Sequence, residues 1–152
     1  MNSKSTTTIT EIHDTDIITS PATYMIAHCI SRDCALGVGI AKYLDDVYDI
    51  KRALINASFN ASSDLVSIVE SSSNGRLVAN IVTKHKYYHK PTYKSLQLAL
   101  NALLSTMIDK HITKLALPKI GCGYDKLEWS RVKSMIYATF SHVDGFDILL
   151  YV

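Results

Sequence analysis

The run Leu115-Ala-Leu-Pro-Lys-Ile-Gly-Cys-Gly-Tyr-Asp125 carries a short apolar strand into a glycine-flanked turn and ends on a carboxylate. Gly121 and Gly123 can take positive φ and admit a ligand to the backbone, whose amides can donate to an anion. That is the chemistry of a phosphate cradle with an acid beside it. A tight strand-to-helix connection explains Gly-x-Gly as simply. A second glycine turn, Gly37-Val-Gly39-Ile-Ala41, again between an apolar run and an amphipathic one, shifts the reading toward one ligand whose two phosphates sit on two turns. Lys84 ends a β-rich run, where a lysine is ordinarily a solvated edge residue. Asp125 lies three residues before Glu128, so a helix N-cap with its reciprocal partner is the plain alternative for that carboxylate.

The elements that must position these residues follow from periodicity. After a Ser/Thr-rich start, read as frayed over residues 1–7, Thr8-Ile-Thr-Glu-Ile-His13 alternates as a strand. Tyr24-Met-Ile-Ala-His-Cys-Ile30 is a nearly continuous apolar run and predicts a strand buried on both faces, with the His28 ring hydrogen-bonded inside it. Helical spacing covers Leu36 to Tyr48, and a second short helix covers Ile50 to Ala57. Leu65–Val69 and Leu77–Val82 flank Ser71-Ser-Ser-Asn-Gly75, which predicts an antiparallel hairpin with positive φ at Asn-Gly. Pro91-Thr92 opens a helix whose stripe is Leu96, Leu100, Leu103, Leu104, Met107 and Ile108, with Lys110 and His111 at its negative end. A strand Lys114–Leu117 stops at Pro118, a helix carries Trp129, Val132, Met135, Ile136 and Phe140, and Asp147–Val152 closes as a strand.

Strands alternating with helices, plus one early hairpin, point to an α/β fold with a mixed sheet between helices. In such sheets ligands bind beyond the carboxyl ends of the strands, where both glycine turns and Lys84 fall. The expected ligand is a phosphate-bearing nucleotide or nucleotide sugar. At 152 residues the chain reads as one domain, 1–152, able to bury a core without disulfides or a structural metal.

Composition narrows the classes. Hydrophobic residues at 47% with 20% charged fit a soluble globular protein, and no apolar run approaches the ~18 to 20 residues that span a bilayer. A polar N-terminal segment without an apolar h-region gives an intracellular expectation, with no membrane partner. Cys29, Cys34 and Cys122, an odd number, read as free thiols in a reducing compartment. His28, Cys29 and Cys34 lack paired metal-ligand spacing, so no metal or cofactor is expected. Net charge is +2, too little to hold a nucleic-acid backbone, although Lys84-His-Lys-Tyr-Tyr-His-Lys90 is locally basic and aromatic. That cluster reads as a polar loop or the rim of an anionic small-molecule site, and a monomer is the simpler expectation.

Three blocks, Ala27-His-Cys-Ile-Ser-Arg-Asp-Cys-Ala-Leu-Gly-Val-Gly-Ile-Ala41, Ile81-Val-Thr-Lys84 with His89-Lys-Pro-Thr-Tyr93, and Leu117–Asp125 followed by Trp129, resemble a macrodomain. Within that family they are most similar to the terminal ADP-ribose protein glycohydrolase branch, also described as O-acetyl-ADP-ribose deacetylases and as resembling ADP-ribose-1″-phosphate phosphatases. The resemblance runs from about Ile9 to the end. It implies a three-layer α/β/α domain with a mixed central β-sheet, and ADP-ribose along the carboxyl ends of the strands. It places adenine at Asp16 and Ile17. The first ligand loop is then Ser31 with Leu36, Gly37, Val38, Gly39 and Ile40. The phosphate loop is Ile120, Gly121, Cys122, Gly123 and Tyr124, with Pro118 and Val152 completing the site.

The same resemblance implies that Lys84 and Asp125 are catalytic. The substrate would be a glutamate or aspartate ester of ADP-ribose on a protein, or an O-acyl-ADP-ribose. An amine shielded from water loses its proton more readily and can attack C1″ to give a covalent lysyl intermediate, with Asp125 handling protons. Two alternatives use the same site: an ADP-ribose reader without turnover, and an ADP-ribose-1″-phosphate phosphatase. Four residues make three departures from the family pattern. Thr15 stands where a glycine usually precedes the adenine-recognising acid, Arg32 adds a cation that suits an extra phosphate, and Tyr87 and Tyr88 bring bulk that alters substrate entry.

Overall fold

The computed structural model describes residues 6–152. Six strands and four helices follow in the order β1 (Thr8–Ile12), β2 (Met25–Ser31), α1 (Gly39–Tyr48), α2 (Ile50–Asn56), β3 (Val66–Glu70), β4 (Leu77–Lys84), α3 (Tyr93–Lys110), β5 (Lys114–Leu117), α4 (Trp129–Phe140) and β6 (Asp147–Tyr151). They form one sheet in the order β1-β6-β5-β2-β4-β3. Only β3 runs antiparallel, as the partner of β4 in the hairpin. All other neighbours are parallel, which requires crossover helices and buries both faces. The sheet is mixed, as the sequence predicts.

Alternation along β2 divides the core. Met25 and Ala27 point to the layer of α3 and α4, where Leu96, Leu100, Leu103, Met107, Val132, Ile136 and Phe140 cover the sheet. Ile26 and Ile30 point to the layer of α1 and α2, where Leu44, Tyr48, Ile50 and Leu54 pack. Each fully buried leucine or isoleucine contributes roughly 1.5–3 kcal/mol relative to exposure, so the two layers fix the strand register and thereby the loops above it. No described helix is long and apolar enough to cross a membrane.

Several boundaries depart from the expectation. α1 begins at Gly39, not Leu36, because Cys34 and Leu36 take left-handed φ of 58° and 44° and Leu36 is turned inward to 6% exposure. Its apolar side chain mimicked a helical stripe position. In α3 the stripe is Leu96, Ala99, Leu100, Leu103 and Met107, while Ile108 is 49% exposed. Thr92 and Ser95 form a reciprocal capping box there, Thr92 Oγ1 accepting from the Ser95 amide at 3.0 Å and Ser95 Oγ from the Thr92 amide at 2.9 Å. In the β3–β4 turn only Gly75 takes positive φ, 72°, whereas Asn74 accepts from the Arg76 amide through its side chain.

At the N-terminal end, residues 1–5 of the segment expected to fray lie outside the described residues. Thr7 is held: its hydroxyl donates to the Val143 carbonyl and accepts from the Phe146 amide. Positive φ near Thr15 falls on Asp14, at 52°, so a threonine before Asp16 brings no backbone strain.

Candidate functional site

β2, β4 and β5 end side by side in the middle of the sheet, and their following loops enclose a cleft of about 320 Å³. Central parallel strands whose carboxyl ends converge supply inward-facing backbone donors and leave room for a ligand between loops. From β2 come Cys29, Ile30 and Ser31. The first loop gives Leu36, Gly37, Val38, Gly39 and Ile40, the end of β4 gives Lys84 and Tyr87, and the second loop gives Pro118, Ile120, Gly121, Gly123, Tyr124 and Asp125.

Lys84 and Asp125 meet across the floor, Nζ donating to Oδ1 at 2.7 Å, with side chains only 15% and 16% exposed. This contact overturns both plain readings. Lys84 is not a solvated edge lysine, and Asp125 does not cap α4. Glu128 holds that cap position without a side-chain hydrogen bond, and its amide donates to the Tyr93 hydroxyl at 3.1 Å. Partial burial strengthens the pair's attraction relative to a surface bridge, so each side chain fixes the other's direction.

The second loop is built on Gly121, whose φ of 71° suits glycine. A Cβ there would also meet Leu127 Cδ1 at 2.9 Å. The Ile120 amide donates to the Pro118 carbonyl at 2.8 Å and the Leu127 amide to the Gly121 carbonyl at 2.8 Å, closing the turn on itself. The amides of Gly121, Gly123 and Tyr124, like those of Gly37 and Val38, donate to no protein acceptor among the described residues. Free amides in two facing loops are the donors that a diphosphate needs. The loops touch: the Tyr124 ring lies 3.2 Å from the Cβ position of Gly39, and Lys90 Nζ donates to the Tyr124 carbonyl at 2.8 Å.

Four residues expected at the ligand do not line this cleft. Cys122 turns toward the α3/α4 layer, its thiol donating to the Ile120 carbonyl, and burial pushes that thiol upward. Ile17 is buried in the α1/α2 layer. Asp16 caps a short 3-10 turn by accepting from the Ile18 amide, and its second oxygen accepts from the Tyr43 hydroxyl at 2.6 Å. Val152 packs on the α3/α4 layer and its amide donates to the Ile12 carbonyl. Arg32 also leaves the cleft: its guanidinium carbon lies over the Phe59 ring, 5.0 Å from the centre. His28 is fully buried with Nε2 2.5 Å from Asn80 Oδ1, as the sequence predicts.

Two contributors were not singled out from the sequence. Asp33 clamps the site, Oδ1 accepting from the Ser31 hydroxyl at 2.5 Å and Oδ2 from the Tyr87 amide at 2.9 Å. Its signal was Ser-x-Asp at a strand end, the pattern of a side-chain turn. Cys29 lies beside the Lys84–Asp125 pair, but burial, with the charge of Asp125, pushes its thiol up to about 12, so it holds its proton at neutral pH. All three cysteines are free, and no metal-binding cluster occurs among the described residues.

No family model matches the chain. Human ADP-ribose glycohydrolase OARD1 is 36% identical over 129 residues, covering 85% of this chain and 82% of that protein. Among solved structures, the macrodomain of Thermus aquaticus DarG superposes with a TM-score of 0.84 at 17% identity, covering 96% of this chain and 99% of that one. Thermosipho africanus DarTG, solved in complex with ADP-ribose, gives 0.73 at 15% identity over 94% of this chain and 42% of that one. The structural neighbours carry the three-layer fold and the human relative the kinship: this chain belongs to the macrodomain family, on the branch of the ADP-ribose glycohydrolase OARD1.

Proposed function

We propose that this protein is an ADP-ribosyl hydrolase that cleaves acyl esters of ADP-ribose, with Lys84 as nucleophile and Asp125 as proton carrier. The observation that carries this reading is the 2.7 Å contact between Lys84 Nζ and Asp125 Oδ1 on the floor of a cleft bounded by two glycine loops. Such loops suit the diphosphate of ADP-ribose, the ligand named in the complex of Thermosipho africanus DarTG, and they would fix the distal ribose against the pair.

The chemistry follows from the residues. As an ammonium Lys84 has no lone pair, so attack requires one proton to leave it, and the 2.7 Å contact with Asp125 is the path. The freed pair on Nζ forms a bond to C1″ while the bond from C1″ to the ester oxygen breaks, and the glutamate or aspartate departs as carboxylate with that electron pair. Ring opening of the lysyl adduct gives an imine at C1″. Water then adds to C1″, the carbon–nitrogen bond breaks, and Lys84 recovers its proton from Asp125. The amide donors of both loops hold the diphosphate throughout. An O-acyl-ADP-ribose whose acyl group is carried on C1″ loses it by the same step, the acid departing as carboxylate, so that deacylation falls within reach of this site.

Release of ADP-ribose from a glutamate-ADP-ribosylated protein tests the reading. Wild type turns over, and Lys84→Ala and Asp125→Ala each lose about a hundredfold or more while calorimetry still detects ADP-ribose binding. Full turnover by Lys84→Ala would overturn the mechanism. Binding without turnover in the wild type would assign a reader, and phosphate release from ADP-ribose-1″-phosphate would assign a phosphatase.

A further inference from the structure

Behind the wall of the cleft lies a second pocket of about 630 Å³, lined by Arg32, Asp33, Ser62, Ser63, His85 and Lys86 among others, and sharing no residue with the first. The wall is the end of β2 against the end of β4, where the Arg32 amide donates to the Lys84 carbonyl at 2.9 Å and the Asp33 amide to the His85 carbonyl at 3.2 Å. Register shifts between Ile30 and Ser31, so Ser31 and Lys84 face the cleft while Arg32, His85 and Lys86 face the pocket behind.

We propose that this rear pocket is an anion site that takes a phosphate group, with the Arg32 guanidinium as its fork and Lys86 as its second cation. It is separate from the cleft and does not rest on the ADP-ribose reading.

The charge balance is the first argument. No ion pair among the described residues uses Arg32, His85 or Lys86. The pocket's one carboxylate is already engaged: Asp33 Oδ1 accepts from the Ser31 hydroxyl and the Ala35 amide, and Oδ2 from the Tyr87 amide. Burial works to raise the Asp33 carboxyl, but those hydrogen bonds, with Lys86 nearby, outweigh it and hold the group below the usual carboxylate range. Asp33 is therefore a charged strut of the wall and no counterion for Arg32.

Geometry is the second. The guanidinium carbon lies over the Phe59 ring, 5.0 Å from its centre, a cation–π contact that holds the group beside the pocket without using its N–H donors. Its Nη1 is buried with no protein partner, a state that costs free energy unless an acceptor is supplied. Ser62 Oγ accepts from the Asp64 amide, so its hydroxyl proton remains to donate, and Ser63 adds a second hydroxyl. A planar fork, an ammonium and two hydroxyls match a tetrahedral oxyanion.

The test is an amide NMR titration of the wild type with inorganic phosphate at constant ionic strength, with chloride as the second arm. The expected result is a saturable shift of the Arg32, Ser62, Ser63, His85 and Lys86 amides that phosphate produces and chloride does not. Arg32→Gln and Lys86→Gln should each weaken that set about tenfold and leave any shift at Gly121–Tyr124 unchanged. Equal shifts with chloride, no saturation, or wild-type affinity in the Lys86→Gln variant would overturn the site. Lys86 is exposed and outside the core, so that variant keeps the test valid if Arg32→Gln does not fold.

Discussion

The two glycine loops face each other across one cleft but are held in opposite ways. The loop after β5 is closed by its own hydrogen bonds, Ile120 to Pro118 and Leu127 to Gly121, on a strand whose Leu115, Ala116 and Leu117 are wholly buried and apolar. The loop after β2 has no such closure over Gly37 and Val38, which are exposed. It hangs from buried anchors, Cys34 at 0% and Leu36 at 6% exposure, and its strand carries the buried His28, bonded to Asn80 of β4. One wall is preformed by backbone geometry. The other is positioned by what lies beneath it and by contact with Tyr124.

Acid should break this asymmetry most strongly. Burial pushes the His28 ring down to about 4, against the hydrogen bond to Asn80 and the charge of Asp45, which work to raise it. The unfolded ring titrates near 6.5, so as pH falls the unfolded chain takes the proton first. This contribution to stability is whole above about 6.5 and is lost between about 6.5 and 4, on the order of 3 kcal/mol. Urea unfolding across that window should show the loss in the wild type and a flatter profile in His28→Leu. Hydrogen exchange should find the bonded amides of Cys34 and Ala35 opening before those of Ile120 and Cys122 as the pH falls.

The glycines sharpen the contrast at smaller scale. Gly121→Ala should destabilise the protein by about 1–2 kcal/mol, since the new Cβ sits at positive φ and crowds Leu127. Gly37→Ala should change stability by less than about 0.5 kcal/mol, because Gly37 has no positive φ in the left-handed range and nothing within 4 Å of its Cβ position. Thermal unfolding of the two variants side by side checks the ranking. Equal losses would mean that the loops are held alike.

The same division decides what was legible in the sequence. Strands and helices showed themselves through period: the expected strand Lys114–Leu117 has the observed bounds, and the hairpin and both late helices stand where apolar spacing placed them. Lys84 was reachable because it ends a periodic run and Asp125 because it closes a glycine turn, and the family resemblance joined them. Side-chain direction in irregular backbone has no period to read. Leu36 therefore looked helical, Cys122 looked ligand-facing, and Arg32 was expected at the cleft although it follows Ser31 directly and points to the opposite side, over Phe59. Asp16 offers a further case, because its partner Tyr43 lies 27 residues away and only the fold brings them together.

The mechanism stands on a covalent role for Lys84, which mass spectrometry of the wild type reads out when borohydride is present during turnover of a glutamate-ADP-ribosylated protein. Borohydride reduces the imine before water can add, so the peptide containing Lys84 should gain the mass of reduced ADP-ribose, and Asp125→Ala, which cannot take the Lys84 proton, should gain far less. An unmodified Lys84 peptide, with the substrate nevertheless consumed, would contradict the claim and leave the lysine a partner of Asp125 in positioning alone.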